Sequence, residues 1–144
     1  MELSRIVEGK RDKLFSIILE SITNDIQSSS EETISVEEIY EGFSYYKILR
    51  NKFGKQGKTK VTITQLDIPN RYEVTFKSAQ GVNTLSYRTI AIDETHFELT
   101  YKEDFISEKK TNNMNYSFVS WFYKRSNKKK ANLILNNLET MMKE

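Results

Sequence analysis

The 144-residue sequence contains no cysteine, one proline and one histidine, and each scarcity excludes a class of structure or chemistry. Without cysteine the chain can form no disulfide, thiolate nucleophile, zinc ribbon or iron–sulfur cluster. This composition fits a reducing compartment, so we predict a cytoplasmic protein. No apolar run approaches the length of a membrane span, and the N-terminus lacks the apolar core of a signal peptide. We therefore expect no membrane association.

The single histidine limits the catalytic chemistry further, because any serine or threonine nucleophile activated through imidazole would depend on His96. His96 is predicted to lie beside a hairpin turn, exposed and outside any cleft. Glu103 and Asp104 are neighbours in a predicted strand, so they point to opposite faces and are both expected to be solvated. The five glycines form no phosphate-binding motif. We predict no catalytic residue, no metal and no cofactor, and we favour a non-enzymatic role, although an enzyme without a histidine base or cysteine nucleophile stays open.

Charge is nearly balanced overall, at +2, but the two signs are segregated along the chain. Residues 14–46 include acidic side chains but no lysine or arginine, whereas residues 124–130 are strongly basic. The basic stretch has no interleaved aromatic residues, so we interpret it as a solvated helix face and expect no nucleic-acid partner. The length suits a single domain, residues 1–144, that needs neither metal nor disulfide to fold.

Alternating apolar and polar residues predict six strands, over about residues 3–7, 43–50, 60–66, 72–77, 82–92 and 97–102. Short turns between the later strands, among them residues 52–57, predict an antiparallel meander. Two helices are expected between the first and second strands. Asp12 is the predicted N-cap of the first, which ends in residues 27–30 and carries one apolar stripe of Leu14, Ile17, Ile18, Ile22 and Ile26. Ser35 and Glu38 predict a capping box for a short second helix from Val36 to Glu41.

The C-terminal third is predicted to be helical, with two apolar stripes. The first stripe comprises Met114, Phe118, Trp121 and Phe122, and the second comprises Ala131, Ile134, Leu135, Leu138, Met141 and Met142. At about 100° per residue their centres differ by about 140°, so one straight helix cannot bury both against one surface. We therefore predict a break near Ser126 and Asn127, whose absence would imply that another molecule covers one stripe.

This order of elements resembles the helix-grip fold of the START-like superfamily, which includes polyketide cyclases, lipid-transfer domains and plant pathogenesis-related proteins. The segments Gly42–Lys47 and Tyr101–Phe105 and the lysine-rich start of the last helix are similar to a bacterial group, domain-of-unknown-function family 3284. That group has no assigned catalytic residues. The resemblance implies an α+β fold in which a curved antiparallel sheet of about six strands grips the helices on its concave side. In relatives, the space between sheet and last helix holds a hydrophobic ligand or is filled.

Aromatic side chains supply the candidate binding site. A phenol combines a large apolar body with one polar tip, which suits a ligand cavity; the alternative is that these rings simply fill the core. The predicted cavity lining is Tyr45, Tyr72, Phe76, Tyr87, Leu99, Tyr101, Phe118, Trp121 and Phe122. Two functions stay open: a module that binds a small hydrophobic or aromatic ligand, and a regulatory or scaffolding domain whose cavity is filled and whose surface binds protein. The sequence is compatible with a monomer or a homodimer.

Overall fold

A computed structural model describes the backbone of residues 1–30, 32–50, 56–107 and 113–144, and the side chains of residues 1–29, 32–48, 57–106 and 128–144. The strands are β1 (Glu2–Glu8), β2 (Ser44–Arg50), β3 (Gln56–Asp67), β4 (Arg71–Ser78), β5 (Gly81–Ala91) and β6 (His96–Ser107). The helices are α1 (Arg11–Ser30) and α2 (Asn113–Met142), and a single 3₁₀ turn covers Val36–Glu38. The predicted turn over residues 52–57 lies largely outside the described residues.

The six strands form one antiparallel sheet in the order β1-β6-β5-β4-β3-β2, in which β2 to β6 are the predicted meander. β1 and β2 are therefore the two edge strands. The register is regular apart from a bulge in β3 between Ile63 and Gln65. The sheet is curved, and its concave face carries the large apolar side chains while its convex face is polar. The predicted helix-grip α+β architecture is confirmed.

α1 begins at Arg11 and runs for 20 residues. It ends within the predicted residues 27–30 but begins before the predicted N-cap, so Asp12 lies in its first turn. The predicted second helix is wrong. Ser35 makes no side-chain capping hydrogen bond, and the chain is already extended at Ile39, so only a 3₁₀ turn forms. Burying Ile39 in the core with an extended backbone takes the place of a second helical turn.

α2 is a single helix from Asn113 to Met142, so the predicted break near Ser126 and Asn127 is wrong. A continuous helix keeps the backbone groups of these polar residues bonded, whereas a break would leave helix ends to be satisfied. The second stripe faces the core: Ala131, Leu135, Leu138 and Met142 are buried, Ile134 is half-buried and Met141 is exposed. The first stripe lies outside the described side chains.

Both helices pack on the concave face and share one core with the sheet. From α1 the core takes Leu14, Phe15, Ile18, Leu19, Ile22 and Ile26. Arg5, on the concave side of β1, docks α2 by donating hydrogen bonds to Asn132 and Asn136 and by pairing with Glu139 at 3.3 Å. Gly9 joins β1 to α1 with a positive φ of 137°, close to the tip of the Met142 side chain. The contacts of Arg5 hold α2 against the β1 edge of the sheet.

Candidate ligand-binding face

Three tyrosines form a row across the middle of the concave face, one each on β4, β5 and β6. The register places Tyr72 opposite Tyr87 and Tyr87 opposite Tyr101, so strand pairing alone brings the rings together. The Tyr72 and Tyr87 ring centroids are 6.1 Å apart in a stacked pair, and those of Tyr87 and Tyr101 are 5.3 Å apart in an edge contact. All three side chains are buried. This tyrosine row (Tyr72, Tyr87 and Tyr101) lines the face beneath the helices.

Two hydroxyls of the tyrosine row have no hydrogen-bond partner in the described part of the chain, namely those of Tyr72 and Tyr87. Burial raises the pKa of both phenols well above the usual range, and the charge of Glu103 contributes at Tyr87. Both groups therefore stay neutral and keep a proton to donate. Neither hydroxyl oxygen is among the fully enclosed unpaired atoms of the described residues, so both can hydrogen-bond to water or to a ligand at the edge of the core.

Beyond Tyr87, a carboxylate and an amide extend the polar part of the concave face. Glu103 is only 4% exposed and accepts hydrogen bonds from the Tyr101 hydroxyl at 2.6 Å and from Asn83 Nδ2 at 3.0 Å. The other amide atom, Asn83 Oδ1, is buried and has no hydrogen-bond partner among the residues that the structure describes. An unsatisfied buried acceptor costs about 1–3 kcal/mol, so this oxygen is a second feature that a bound hydrogen-bond donor would relieve.

At the β2 edge of the sheet, α1 and β2 form a separate polar cluster whose side chains bond to one another. Asp25 accepts a hydrogen bond from the Tyr45 hydroxyl at 2.6 Å and pairs with Lys47 Nζ at 3.0 Å. Burial, and then the hydrogen bond to Asp25, raise the pKa of Tyr45 well above its usual range. The Lys47 ammonium also lies 5.9 Å from the centre of the Phe76 ring. This group holds α1 against the β2 edge.

The structure brings most of the predicted lining together on one face. Tyr72, Tyr87, Leu99 and Tyr101 are buried there, and Tyr45 and Phe76 are half-buried. Phe118, Trp121 and Phe122 lie outside the described side chains, so their place in a lining stays a prediction.

The expectation for Glu103 was wrong, because it is buried whereas Asp104 is exposed. Asn83 is not among the residues predicted to line the site. Strand alternation could have found both, since they share a face with Tyr87 and Tyr101.

His96 lies at the turn between β5 and β6, as predicted, and its side chain is partly exposed. Its Nδ1 is 2.8 Å from Thr95 Oγ1 and 3.2 Å from Asp93 Oδ1. A hydrogen bond from the Thr95 backbone N–H, reinforced by those from its hydroxyl and from His96, lowers the pKa of Asp93. These contacts organise the hairpin tip.

Two open pockets of the described residues lie away from the tyrosine row. One, of about 540 Å³, lies at the strand ends beside the β3–β4 turn and includes Arg71 and Arg88. The other, of about 470 Å³, follows the β2 edge around Tyr46 and Lys58. No cluster of three or more metal-ligating side chains occurs among the residues that the structure describes. No helix in the described ranges is long and apolar enough to cross a membrane.

Comparison with known proteins places the chain in a family. Residues 1–124 match the model of a family described as "Domain of unknown function (DUF3284)". The chain belongs to this family. No curated protein matches the sequence.

Solved structures with the same fold are similar over almost the whole chain. A protein of unknown function from Staphylococcus aureus has a TM-score of 0.60 at 11% identity, covering 99% of this chain and 92% of that one. A protein from Arthrobacter aurescens has a TM-score of 0.62 at 10% identity, covering 99% and 84%. Ara h 8.0201, a helix-grip protein, has a TM-score of 0.55 at 13% identity, covering 99% and 95%. At these identities the likeness shows the shared fold, in agreement with the START-like resemblance.

Proposed function

We propose that this DUF3284 domain is a non-catalytic module that binds a small, largely apolar or aromatic ligand on the concave face, between the sheet and α2. The observation that carries the proposal is the unused hydrogen-bonding capacity of the tyrosine row. The hydroxyls of Tyr72 and Tyr87, together with Asn83 Oδ1, have no partner in the described part of the chain. Ligand sites in proteins combine apolar walls with a few oriented polar groups, and this face has that composition.

Simple filling of the core explains the rings but not the polar atoms. Phenylalanine at positions 72 and 87 would fill the same space without the two hydroxyls, whose oxygens are not among the fully enclosed unpaired atoms and can therefore meet water or a ligand. Asn83 Oδ1 is fully enclosed, and an unpaired polar group of this kind is expected at sites kept for binding. Because Asn83 Oδ1 is inaccessible in this structure, a ligand would reach it by displacing the side chains that cover it.

A second candidate function, protein binding, is favoured by apolar residues on the convex face. The register aligns Ile6, Glu98 and Ile90 across β1, β6 and β5, and both isoleucines are more than half exposed. Ile92 continues the exposed apolar surface beyond β5. If this surface binds a second copy or another protein, Ile90→Lys will shift the oligomeric state measured by light scattering or abolish capture of the partner.

Fluorescence of Nile red, a neutral apolar dye, tests the ligand-binding proposal. The test variant is Leu85→Trp, which adds bulk to the concave face beside Glu103. The control is Ser86→Trp, which adds the same ring at the adjacent position on the convex face. We expect saturable binding to the wild type and to Ser86→Trp, and at least about tenfold weaker binding to Leu85→Trp, the result of losing about 1.4 kcal/mol of contact energy.

Thermal melting of the three proteins shows that each is folded before the dye is added. Two outcomes would contradict the proposal. One is an absence of saturable binding to the wild type. The other is an equal effect of the two tryptophans, which would place the dye elsewhere on the surface.

A further inference from the structure

Among the side chains that the structure describes, Glu103 is a buried carboxylate without a neighbouring cation. Its side chain takes hydrogen bonds from two neutral groups, the Tyr101 hydroxyl and the Asn83 amide. Among the described residues, no lysine, arginine or terminal ammonium nitrogen lies within the 4.0 Å of an ion pair. The Met1 ammonium approaches the same strand but contacts the Glu103 backbone carbonyl and the Asp104 carboxylate. Buried charges in proteins are normally paired, so this carboxylate is an exception that needs an explanation.

Among the described sheet residues, two basic side chains point to the concave face. Each of them is bound to partners other than Glu103. Arg5 is held by Asn132, Asn136 and Glu139 of α2. Lys47 is held by Asp25, on the flank formed by α1 and β2. Neither is free to neutralise Glu103 without breaking the contacts that dock a helix.

The groups around Glu103 also favour a positive ligand. Asn83 Oδ1 is an acceptor without a donor among the described residues, and it lies on the amide whose nitrogen already contacts the Glu103 carboxylate. The ring centroids of Tyr87 and Tyr101 are 5.3 Å apart, and the Tyr101 hydroxyl contacts that carboxylate. Aromatic faces attract cations through their quadrupoles. A carboxylate, an unsatisfied carbonyl oxygen and aromatic rings are together the surroundings in which proteins hold an ammonium group.

We propose that the ligand of the concave face carries a protonated amine on an aromatic body, with the ammonium bound by Glu103 and Asn83 Oδ1. The inference rests on the proposed function and specifies its ligand class. The amine would give Glu103 the cation that the described residues do not supply and would donate to the unpaired Asn83 Oδ1, and the aromatic body would lie along the tyrosine row. The hydroxyls of Tyr72 and Tyr87 would then be available to acceptors on the body of the ligand.

A pair of probes that differ in one group tests this inference by calorimetry. Tyramine and tyrosol share a phenol ring and a two-carbon chain, but tyramine ends in an ammonium and tyrosol in a hydroxyl. We expect the wild type to bind tyramine about tenfold or more tightly than tyrosol, because a hydrogen bond to a charged group contributes roughly that factor. In Glu103→Gln, which keeps the shape and removes the charge, the preference should fall to about one.

Two further variants control the measurement. Glu98→Gln removes the same charge from β6 on the convex face, and it should keep the full preference for tyramine. Glu103→Asp keeps the charge and should restore part of the preference that Glu103→Gln loses, which also covers the case in which the glutamine variant folds poorly.

Equal binding of tyramine and tyrosol by the wild type, or an equal loss in Glu98→Gln, would overturn the inference. If tyramine does not bind while Nile red still binds, the ligand is not an amine of this class, and the proposed function is left intact. Loss of both tyramine and Nile red binding would overturn the two together.

Discussion

At the residue scale, His96 is a chemically versatile side chain whose described contacts are those of a turn. It lies at a hairpin tip with Asp93 and Thr95, at the start of β6 and away from Glu103. A general base needs a pocket and a substrate within hydrogen-bond reach. The turn supplies an orienting carboxylate but no enclosure.

We therefore predict that His96→Ala changes the free energy of unfolding by no more than about 0.5 kcal/mol, as for most surface substitutions. Urea denaturation of the two proteins at neutral pH measures the difference. A loss well above about 1 kcal/mol would show that the ring has a larger structural role than its contacts indicate.

The buried phenols of Tyr45, Tyr72 and Tyr87 predict a specific alkaline behaviour. Their pKa values are raised in the folded protein, mainly by burial. A raised pKa leaves stability unchanged below the unfolded value of about 10 and costs stability as the pH rises above it, because the unfolded phenol ionises first. We expect that part of the tyrosine absorbance change appears only when the protein unfolds in alkali. Ionisation of all eight tyrosines in one reversible step, with circular dichroism unchanged, would contradict this.

The burial of Glu103 was not predicted from the sequence. Strand alternation correctly put Glu103 and Asp104 on opposite faces, but residue type alone suggested that both are solvated. The burial of Glu103 depends on its long-range pairing with β5, which brings Asn83 within 3.0 Å. That contact joins positions 20 residues apart, and no local pattern encodes it.

At the element scale, the strands were predictable and the helices were less so. A strand face is set by a period of two, which Tyr72–Phe76 and Phe97–Tyr101 display without interruption. The capping box at Ser35 and Glu38 is a real local signal, but tertiary burial of Ile39 in an extended conformation prevails over it. Local helix propensity is a weak predictor where burial of a core residue favours another backbone conformation.

The second apolar stripe of α2 provides a matched test of how the helix docks. Leu135 is fully buried, whereas Leu133, two residues earlier, is 61% exposed. We expect Leu135→Ala to cost about 2–5 kcal/mol of unfolding free energy, since it leaves a cavity against the sheet and α1. Leu133→Ala should cost no more than about 0.5 kcal/mol.

Chemical denaturation of both variants decides the point. Equal costs would mean that the helix is rotated about its axis relative to this structure. A small cost at both positions would mean that the C-terminal half of α2 contributes little to the core.

At the scale of the whole molecule, the fold separates two surfaces with different chemistry. The concave face gathers the tyrosine row, Glu103 and Asn83 under the helices, and the convex face presents charges with a few exposed isoleucines. Element order was enough to predict this architecture, because antiparallel hairpins and amphipathic helices leave few ways to bury one sheet face. Strand alternation could place Glu103 and Asn83 on the concave face, but it could not give the burial of Glu103 or the contact between the two side chains. That contact forms across the paired strands β5 and β6.

Native mass spectrometry of protein purified from its own host shows whether the concave face holds a small molecule. We expect a wild-type species heavier than the chain by the mass of one small compound, which is lost on denaturation. Leu85→Trp, expressed and purified in the same way, should carry no such compound, while Ser86→Trp should carry it. Bare chain mass for the wild type under native conditions, or the same adduct on all three proteins, would contradict ligand binding on the concave face.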